Sequence, residues 1–153
     1  MDGPQITINY SPKVDLRIKC VKAERYRQVG WVEYRFEVKC RLPHPSGTFE
    51  YFASDLCFDQ DSFIRFCEEL RAMQQGARNV AALKNVGEML ELRLKLASRK
   101  LQADLKIREY IAPHMATLSS TFELDYDLFV NKLLREIERF VDELRCVEPD
   151  EVG

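Results

Sequence analysis

Long runs of strictly alternating apolar and polar residues constrain this chain more than any other feature. Val14, Leu16, Ile18 and Cys20 alternate with charged residues, and a second run over Val32–Leu42 repeats the pattern. Alternation with a period of two predicts strands that have one buried face and one solvated face. Such strands are typical of antiparallel sheets, because parallel strands are usually covered on both sides.

Other segments of the chain share this alternation. The segment 77–86 is less regular, and it fits a loop with at most a short strand. The remaining alternating segments predict an edge strand around Ile6 and Ile8, a strand around Phe49–Ala53, a hairpin of Leu90–Leu96 with Leu101–Ile107, and a strand around Leu118–Leu124.

Two segments change to a helical period. One helix is predicted to begin near Asp59 and to end at Gly76, and a second helix of about 20 residues to begin near Asp127. The apolar sides of these helices consist of Phe63, Phe66, Cys67, Leu70 and Met73, and of Phe129, Val130, Leu133, Ile137, Phe140, Val141 and Leu144.

Both predicted helices begin in a similar segment, with Asp59 and Asp61 in the first and Asp125 and Asp127 in the second. Aspartates at these positions can cap a helix N-terminus and interact favourably with its dipole. A calcium loop continues with a third oxygen ligand, but the next alternate residue is phenylalanine in both segments. We therefore interpret both pairs as helix caps, which leaves open whether the two halves of the chain are duplicated.

The element order is strands, helix, strands, helix. It predicts an α+β fold with a mainly antiparallel sheet of about six to seven strands and two amphipathic helices packed on it. The length of 153 residues suits a single domain, which we place at residues 1–147, with a flexible tail at 148–153. The chain shows neither an apolar run of about 18 residues nor a signal peptide, so we expect a cytoplasmic protein without a membrane partner.

Composition and motifs argue against most enzyme classes. Five cysteines without a C-x-x-C pair indicate a reducing compartment, and Cys20, Cys40 and Cys67 fit buried apolar positions. Neither histidine lies near a cysteine pair, and no phosphate-binding or nucleophile motif occurs. We therefore expect no enzyme activity, catalytic residue, metal or cofactor. The net charge of −2 excludes a broadly basic nucleic-acid binder, and we expect no nucleic-acid partner.

The segment around Trp31 contains the residue types that are enriched at interface hot spots, namely Trp, Tyr and Arg. An alternative interpretation places Trp31 and Tyr34 in the core and rim of the sheet, with the arginines on a solvated loop between Ala23 and Gly30. The residues predicted to bind a protein partner are Arg25, Tyr26, Arg27, Trp31, Glu33, Arg35 and Glu37.

Several segments together form a recognisable pattern of hydrophobicity and element order. They are Trp31–Phe36, Phe49–Leu56, the helix Phe63–Leu70, the strand opened by Glu88–Leu92, and Phe122–Asp125 leading into Asp127–Phe129. In this pattern the chain resembles, from about Tyr10 to Leu144, the WapI-type immunity proteins of bacterial polymorphic toxin systems. That resemblance implies a small cytoplasmic protein that binds and blocks a cognate toxin, and it supplies no catalytic residues.

Our leading hypothesis is a non-enzymatic protein-binding module that acts as an immunity protein. A second hypothesis is a small-ligand binder or enzyme with a pocket between sheet and helices. The space for that pocket would disappear if Phe63, Phe66, Phe129 and Phe140 filled it. A third hypothesis is a self-associating subunit, such as a homodimer, in which an exposed strand edge or apolar patch pairs two copies.

Overall fold

A computed structural model describes residues 3–11, 14–98 and 100–152, without the side chains of residues 10, 11, 14, 44, 111, 128 and 129. The predictions for the side chains of Val14 and Phe129 therefore lie outside the described residues. The elements are β1 (Gln5–Ser11), β2 (Val14–Tyr26), β3 (Val32–His44), β4 (Gly47–Phe58), α1 (Gln60–Gln74), β5 (Val80–Lys84), β6 (Leu90–Ala97), β7 (Lys100–Ile111), β8 (His114–Leu124), α2 (Tyr126–Arg145) and β9 (Asp150–Val152).

The strands form two sheets in the described residues. Sheet A has the order β1-β2-β3-β4 with antiparallel pairs, and β9 adds a short parallel pairing with β2. Sheet B is an antiparallel meander in the order β5-β6-β7-β8. The α+β class and the element order were predicted correctly, but the single sheet of six to seven strands was wrong. Alternation reports which side of a strand is buried and carries no information about its neighbours, so it could not show that the pairing stops between β4 and β5.

The chain divides into two compact units, one of residues 1–60 with 135–153 and the other of residues 61–134. The first unit contains sheet A and the C-terminal part of α2. The second contains sheet B, most of α1 and the N-terminal part of α2. The predicted single domain over residues 1–147 stays a prediction, because compact units can unfold together or separately.

The core of the first unit contains a cluster of aromatic rings. Phe36 on β3 is fully buried, with its ring centroid 5.3 Å from that of Phe58 and 5.9 Å from that of Phe140 on α2. The Tyr34 hydroxyl donates to the carbonyl oxygen of Leu144 at 3.5 Å, so a buried polar atom has a partner on the helix. Even-numbered residues of β3 thus face the core, as the alternation predicts.

The second unit has a mainly aliphatic interior. The predicted apolar side of α1 is buried, and so are Leu90, Leu92 and Leu94 of β6, while Leu96 is half-buried. The Glu69 side chain on α1 accepts from the backbone N–H of Ala82 at 3.4 Å and pairs with Arg78 at 2.9 Å. The Tyr126 hydroxyl on α2 donates to the carbonyl oxygen of Met73 at 2.8 Å, which joins the two helices within this unit.

Three register shifts make sheet A irregular, one between Ile8 and Ser11 of β1 and two that are β-bulges. Val21 is an extra residue in β2, because Cys20 pairs with Phe36 while Lys22 pairs with Arg35. The predicted strand therefore continues through the bulge to Tyr26, and the loop predicted from Ala23 was placed too early. A bulge defeats period-two analysis because it leaves two consecutive residues on the same side of the strand.

The second bulge lies in β4, where the pair Phe36 with Leu56 is followed by the pair Val38 with Ala53. Two residues of β4, Ser54 and Asp55, therefore oppose Glu37 alone.

The two halves of the chain share one topology, four strands in a meander followed by a helix. The pair Val38 with Ala53 corresponds to Leu105 with Ser120, with the same sequence spacing in both strands. Beyond the bulge of β4, Leu56 corresponds to Phe122, and the spacing is shorter because β4 contains the extra residue. The aspartate pairs at the starts of α1 and α2 are separated by this same shorter spacing. The similarity between the two halves therefore extends from the β3–β4 and β7–β8 hairpins to the helix starts that follow them.

The C-terminal segment contributes a strand. Asp150–Val152, within the residues predicted to be a flexible tail, form β9 and pair with Glu24, Arg25 and Tyr26 of β2. The segment 77–86 contains the short strand β5, as expected. Neither helix of the described chain is long and apolar enough to cross a membrane.

Candidate protein-binding surface

The hairpin turn between β2 and β3 places the candidate residues. The backbone N–H of Tyr26 donates to the carbonyl oxygen of Trp31 at 3.0 Å, and the Gly30 N–H donates back to the Tyr26 carbonyl at 2.7 Å. Gly30 has a φ of 76°, a left-handed conformation that glycine adopts without a steric penalty. The turn is therefore closed by its backbone, and its side chains are left to point outward.

Side chains of this turn and of the adjacent strands line a depression of about 530 Å³. We call it the Tyr26–Trp31 surface. Two of its apolar side chains are unusually exposed, Trp31 at 59% and Val29 at 58%. The residues that line it are Tyr26, Arg27, Gln28, Val29, Trp31, Glu33, Arg35 and Val152.

Five of the seven predicted partner-binding residues line this surface. They are Tyr26, Arg27, Trp31, Glu33 and Arg35. Trp31 is exposed whereas Tyr34 is buried, which is also compatible with the alternative that these two residues belong to the rim and the core of the sheet.

The other two predicted residues lie outside the lining. Arg25 is held beside the turn, where its guanidinium lies 3.5 Å from Glu151 of β9. Glu37 lies further along the solvated face of β3, opposite Lys19. Whether any of the seven residues contacts a partner stays a prediction.

A ladder of charged side chains borders the surface. The Tyr26 hydroxyl lies 3.1 Å from an oxygen of Glu24 and 3.2 Å from an oxygen of Glu33, and its one proton can be donated to either carboxylate. Glu24 and Glu33 are directly opposite each other across the strands, an arrangement that repels unless cations or donors intervene. Lys22 approaches Glu24 at 2.7 Å, and Arg35 approaches Glu33 at 3.3 Å.

These contacts shift the acidity of several groups. The hydrogen bond from Lys22 lowers the pKa of Glu24 and raises the pKa of Lys22, so each group favours its charged form. The hydrogen bond with Arg35 lowers the pKa of Tyr26, but the bond to Glu24 and partial burial outweigh it and leave this pKa raised. All three shifts move away from neutral pH, so the ladder acts as a fixed pattern of charge near pH 7.

Several residues in the surface or beside it escaped the sequence prediction. Glu24 joins Tyr26 on one side of β2 only because the bulge at Val21 resets the alternation. Val152 is brought in by the parallel pairing of β9, for which a three-residue segment gives no periodic signal. Val29 was overlooked because an isolated valine in a turn carries no pattern.

A second depression of about 520 Å³ lies further along the solvated face of sheet A. There the ammonium of Lys39 lies 5.7 Å from the ring centroid of Phe52, whose side chain is 56% exposed. Arg17 and Arg41 pair with Asp15 and Glu50 at its border. Charges are paired within the sheet at both depressions, so it is the exposed Trp31 that makes the Tyr26–Trp31 surface the stronger candidate.

The cysteines divide by burial. Cys20, Cys40 and Cys67 are buried, which confirms their predicted apolar role, whereas Cys146 is exposed. Burial raises the pKa of the Cys40 thiol to about 12, with a smaller contribution from Asp15. Among the side chains that the structure describes, no group of three His, Cys, Asp or Glu is arranged to hold a metal ion.

Comparisons with known proteins leave the family open. No protein-family model matches the chain, and a search of curated proteins also found no match. The resemblance to the WapI-type immunity proteins therefore stays a prediction.

Proposed function

We propose that the chain is a non-enzymatic protein-binding module whose partner docks on the Tyr26–Trp31 surface. The observation that carries this proposal is the exposure of Trp31, because tryptophan is seldom left in water and is the residue type most enriched at interface hot spots. Covering the exposed part of its ring with a partner would contribute about 2 kcal/mol to binding.

The charges around Trp31 supply specificity. Arg25 and Arg27 share the single carboxylate of Glu151, at 3.5 Å each, so this border of the surface keeps an excess of positive charge. Glu24 and Glu33 lie on the two paired strands beside the turn, where Lys22 and Arg35 balance their charges. A partner with the complementary order of charges would be favoured, and one with the reverse order would be repelled.

The turn is also preorganised. Three backbone hydrogen bonds close it, and the ladder around Tyr26 fixes neighbouring side chains on both strands. Binding to such a surface orders few additional groups, and this reduces the entropy lost on association.

The specific role that we propose is that of an immunity protein, which binds a cognate toxin and blocks it. It is supported by the resemblance in element order and hydrophobic pattern, and by an exposed aromatic surface bordered by charged side chains. Blocking needs no chemistry from the immunity protein, since occupying the toxin's active surface is sufficient.

The test is to co-express the chain with toxin candidates encoded beside its gene. We expect one of them to co-purify and cells to survive its expression. Trp31→Ala should raise the dissociation constant by about tenfold or more, as expected for a hot-spot residue. The matched control is Phe52→Ala, which removes an equally exposed aromatic ring from the same sheet and should change binding by less than about threefold.

Two outcomes would count against the proposal. If no candidate co-purifies and no cells are protected, the immunity role is wrong. If a partner binds but Trp31→Ala and Phe52→Ala weaken it equally, binding does not depend on the Tyr26–Trp31 surface.

A further inference from the structure

The free edges of the two sheets differ in how well they are protected. An unpaired edge strand exposes backbone N–H and C=O groups that can pair with another strand, and proteins usually protect it by shortness, bulges, proline or charge. β5 has only five residues, β1 has a register shift between Ile8 and Ser11, and β4 has the bulge opposite Glu37. These three edges therefore follow the usual rule.

The strand β8 follows none of these rules. Its eleven residues pair with β7 without a register shift, from Leu124 to His114. It contains no proline, lysine or arginine, and its one carboxylate is Glu123, next to its C-terminal end. Six of its first eight residues are exposed, and within the described chain β7 is its single neighbouring strand.

The direction of the backbone groups on β8 follows from the rest of sheet B. The Arg108 N–H on β7 donates to the Met89 carbonyl beside β6 at 2.7 Å. In an antiparallel ladder, alternate residues direct their backbone groups to the same side. The backbone N–H and C=O groups of the even-numbered residues of β7 therefore point toward β6. Those of the odd-numbered residues point toward β8, where they bond to even-numbered residues.

The remaining residues of β8 direct their backbone groups to the free edge. The bond from Leu96 N–H to the Asn79 carbonyl, at 2.8 Å, gives the same assignment from the other side of the sheet. The residues with outward N–H and C=O groups are Met115, Thr117, Ser119, Thr121 and Glu123.

We infer that β8 pairs with β8 of a second copy of this chain, in an antiparallel arrangement whose two-fold axis passes beside Ser119. Ser119 is the middle residue of the strand, so all five outward residues find hydrogen-bonded partners at once. Thr117 lies opposite Thr121 of the other copy, and Met115 lies opposite Glu123. The pairing exchanges about ten backbone hydrogen bonds and joins two sheets B into one sheet of eight strands.

The side chains are compatible with self-pairing. No like charges meet, because Glu123 faces Met115 and His114 faces Leu124. Thr117 and Thr121 form a cross-strand threonine pair, a type that stabilises antiparallel strands. On the inner face, half-buried Leu118 gains Ser120 of the other copy as a neighbour, next to buried Phe122. A second copy is thus a suitable occupant, and this inference uses no residue of the Tyr26–Trp31 surface.

The experiment is sedimentation equilibrium of the purified chain over a concentration series into the millimolar range. We expect the mass to rise from 17.9 kDa to twice that value. In the same samples, hydrogen exchange should slow with concentration at the amides of Thr117, Ser119 and Thr121. These are amides that β7 leaves unbonded.

Two substitutions at the centre sharpen the test. Ser119→Lys places two like charges opposite each other, and Ser119→Pro removes an outward N–H while leaving the bonds to β7 intact. Each should raise the dissociation constant of the dimer about tenfold or more. The matched control is Thr48→Lys, which places the same charge at an exposed position on the β4 edge and should leave the dimer unchanged.

The outcomes separate cleanly. A wild-type mass that stays at the monomer value at every concentration overturns the inference, as does a dimer that survives both Ser119 variants or that Thr48→Lys dissociates. Circular dichroism and thermal unfolding show whether the variants are folded. If Ser119→Pro is unfolded, Ser119→Lys and the exchange of the wild-type amides still decide the matter.

Discussion

The two sheets of this protein are built on one topology but differ in regularity. Sheet A is interrupted by bulges at Val21 and at Ser54–Asp55, and its interior contains a cluster of aromatic rings around Phe36. Sheet B keeps one register through its three strand pairs, and its strands bury mainly leucine. The irregular sheet carries the exposed tryptophan and the charged ladder, whereas the regular sheet leaves a long unprotected edge.

This difference shows how a bulge can change what a sheet offers to a partner. The bulge at Val21 brings Glu24 and Tyr26 to the solvated side, where they meet Glu33 and Arg35. A regular strand would have turned these two side chains to the other side of the sheet. Where the strands are regular, the side chains form a uniform face and the edge is left with unpaired backbone groups.

The largest effect is expected from the aromatic interior of sheet A. Phe36→Ala should lower the free energy of unfolding by about 4 kcal/mol, because it leaves a cavity among Phe58, Phe140 and Tyr34. Leu94→Ala, at a fully buried position of sheet B, should cost about 3 kcal/mol. Urea unfolding measures both. If the chain is one domain, both variants shift the same transition, and two separate transitions would contradict that prediction.

A buried hydrogen bond in the second unit gives the next effect. Asn85 joins β5 to β6, and its side-chain oxygen accepts from the Leu90 N–H at 2.7 Å. Asn85→Ala leaves that N–H without its side-chain acceptor, and should lower the free energy of unfolding by about 2 kcal/mol. The control is Asn131→Ala, which removes an exposed bond to Gln74 and should cost less than about 1 kcal/mol. If both substitutions lowered the free energy of unfolding equally, burial would not explain the contribution of the Asn85 hydrogen bond.

Alkaline pH probes the buried thiol of sheet A. The folded pKa of Cys40 is raised to about 12, above the unfolded value, so the folded state retains the proton longer. Its contribution to stability is therefore complete below the unfolded pKa and is lost as pH rises toward 12. Between pH 8 and about 10.5, we expect wild type to lose about 1–2 kcal/mol more than Cys40→Ala in urea unfolding. Parallel pH profiles would count against a buried, protonated Cys40.

Surface ion pairs should have the smallest effects in both sheets. Arg41 and Glu50 on sheet A are 3.5 Å apart and more than 60% exposed, so Glu50→Gln should cost less than about 0.3 kcal/mol. Glu91 on sheet B is less exposed and lies 2.9 Å from Arg93, so Glu91→Gln should cost about 0.5 kcal/mol. Both costs should shrink in high salt, and a salt-independent cost would indicate that packing is involved.

The sequence was most informative where strands are regular. The alternate leucines of β6 and β7, except half-buried Leu96, and the apolar side of α1 are buried as predicted. The predicted strand ended too early because Val21 is an extra residue, and beyond it the alternation of apolar and polar residues is reversed. The partition into two sheets escaped prediction, since pairing between strands depends on contacts distant in sequence.

The candidate surface could be predicted in part. Trp31, Tyr26 and the arginines were recognisable by residue type, because few residue types dominate interface energies. The contributions of Glu24 and Val152 could not be recognised, since they depend on a bulge and on a parallel pairing with the chain end. The sequence could not show whether Trp31 is buried, because it lies between the turn and the first residue of β3, where the alternation has not yet begun.

The bulge in β4 has a consequence for the size of the assembly. A chain with one unbroken edge can close on itself as a pair, whereas a chain with two such edges can add copies at both and grow into an open fibre. Because Ser54 and Asp55 interrupt the outer strand of sheet A, growth through that strand is disfavoured. In the proposed β8 dimer, deleting one of these two residues would restore a regular outer strand in sheet A, and we expect the dimers then to polymerise.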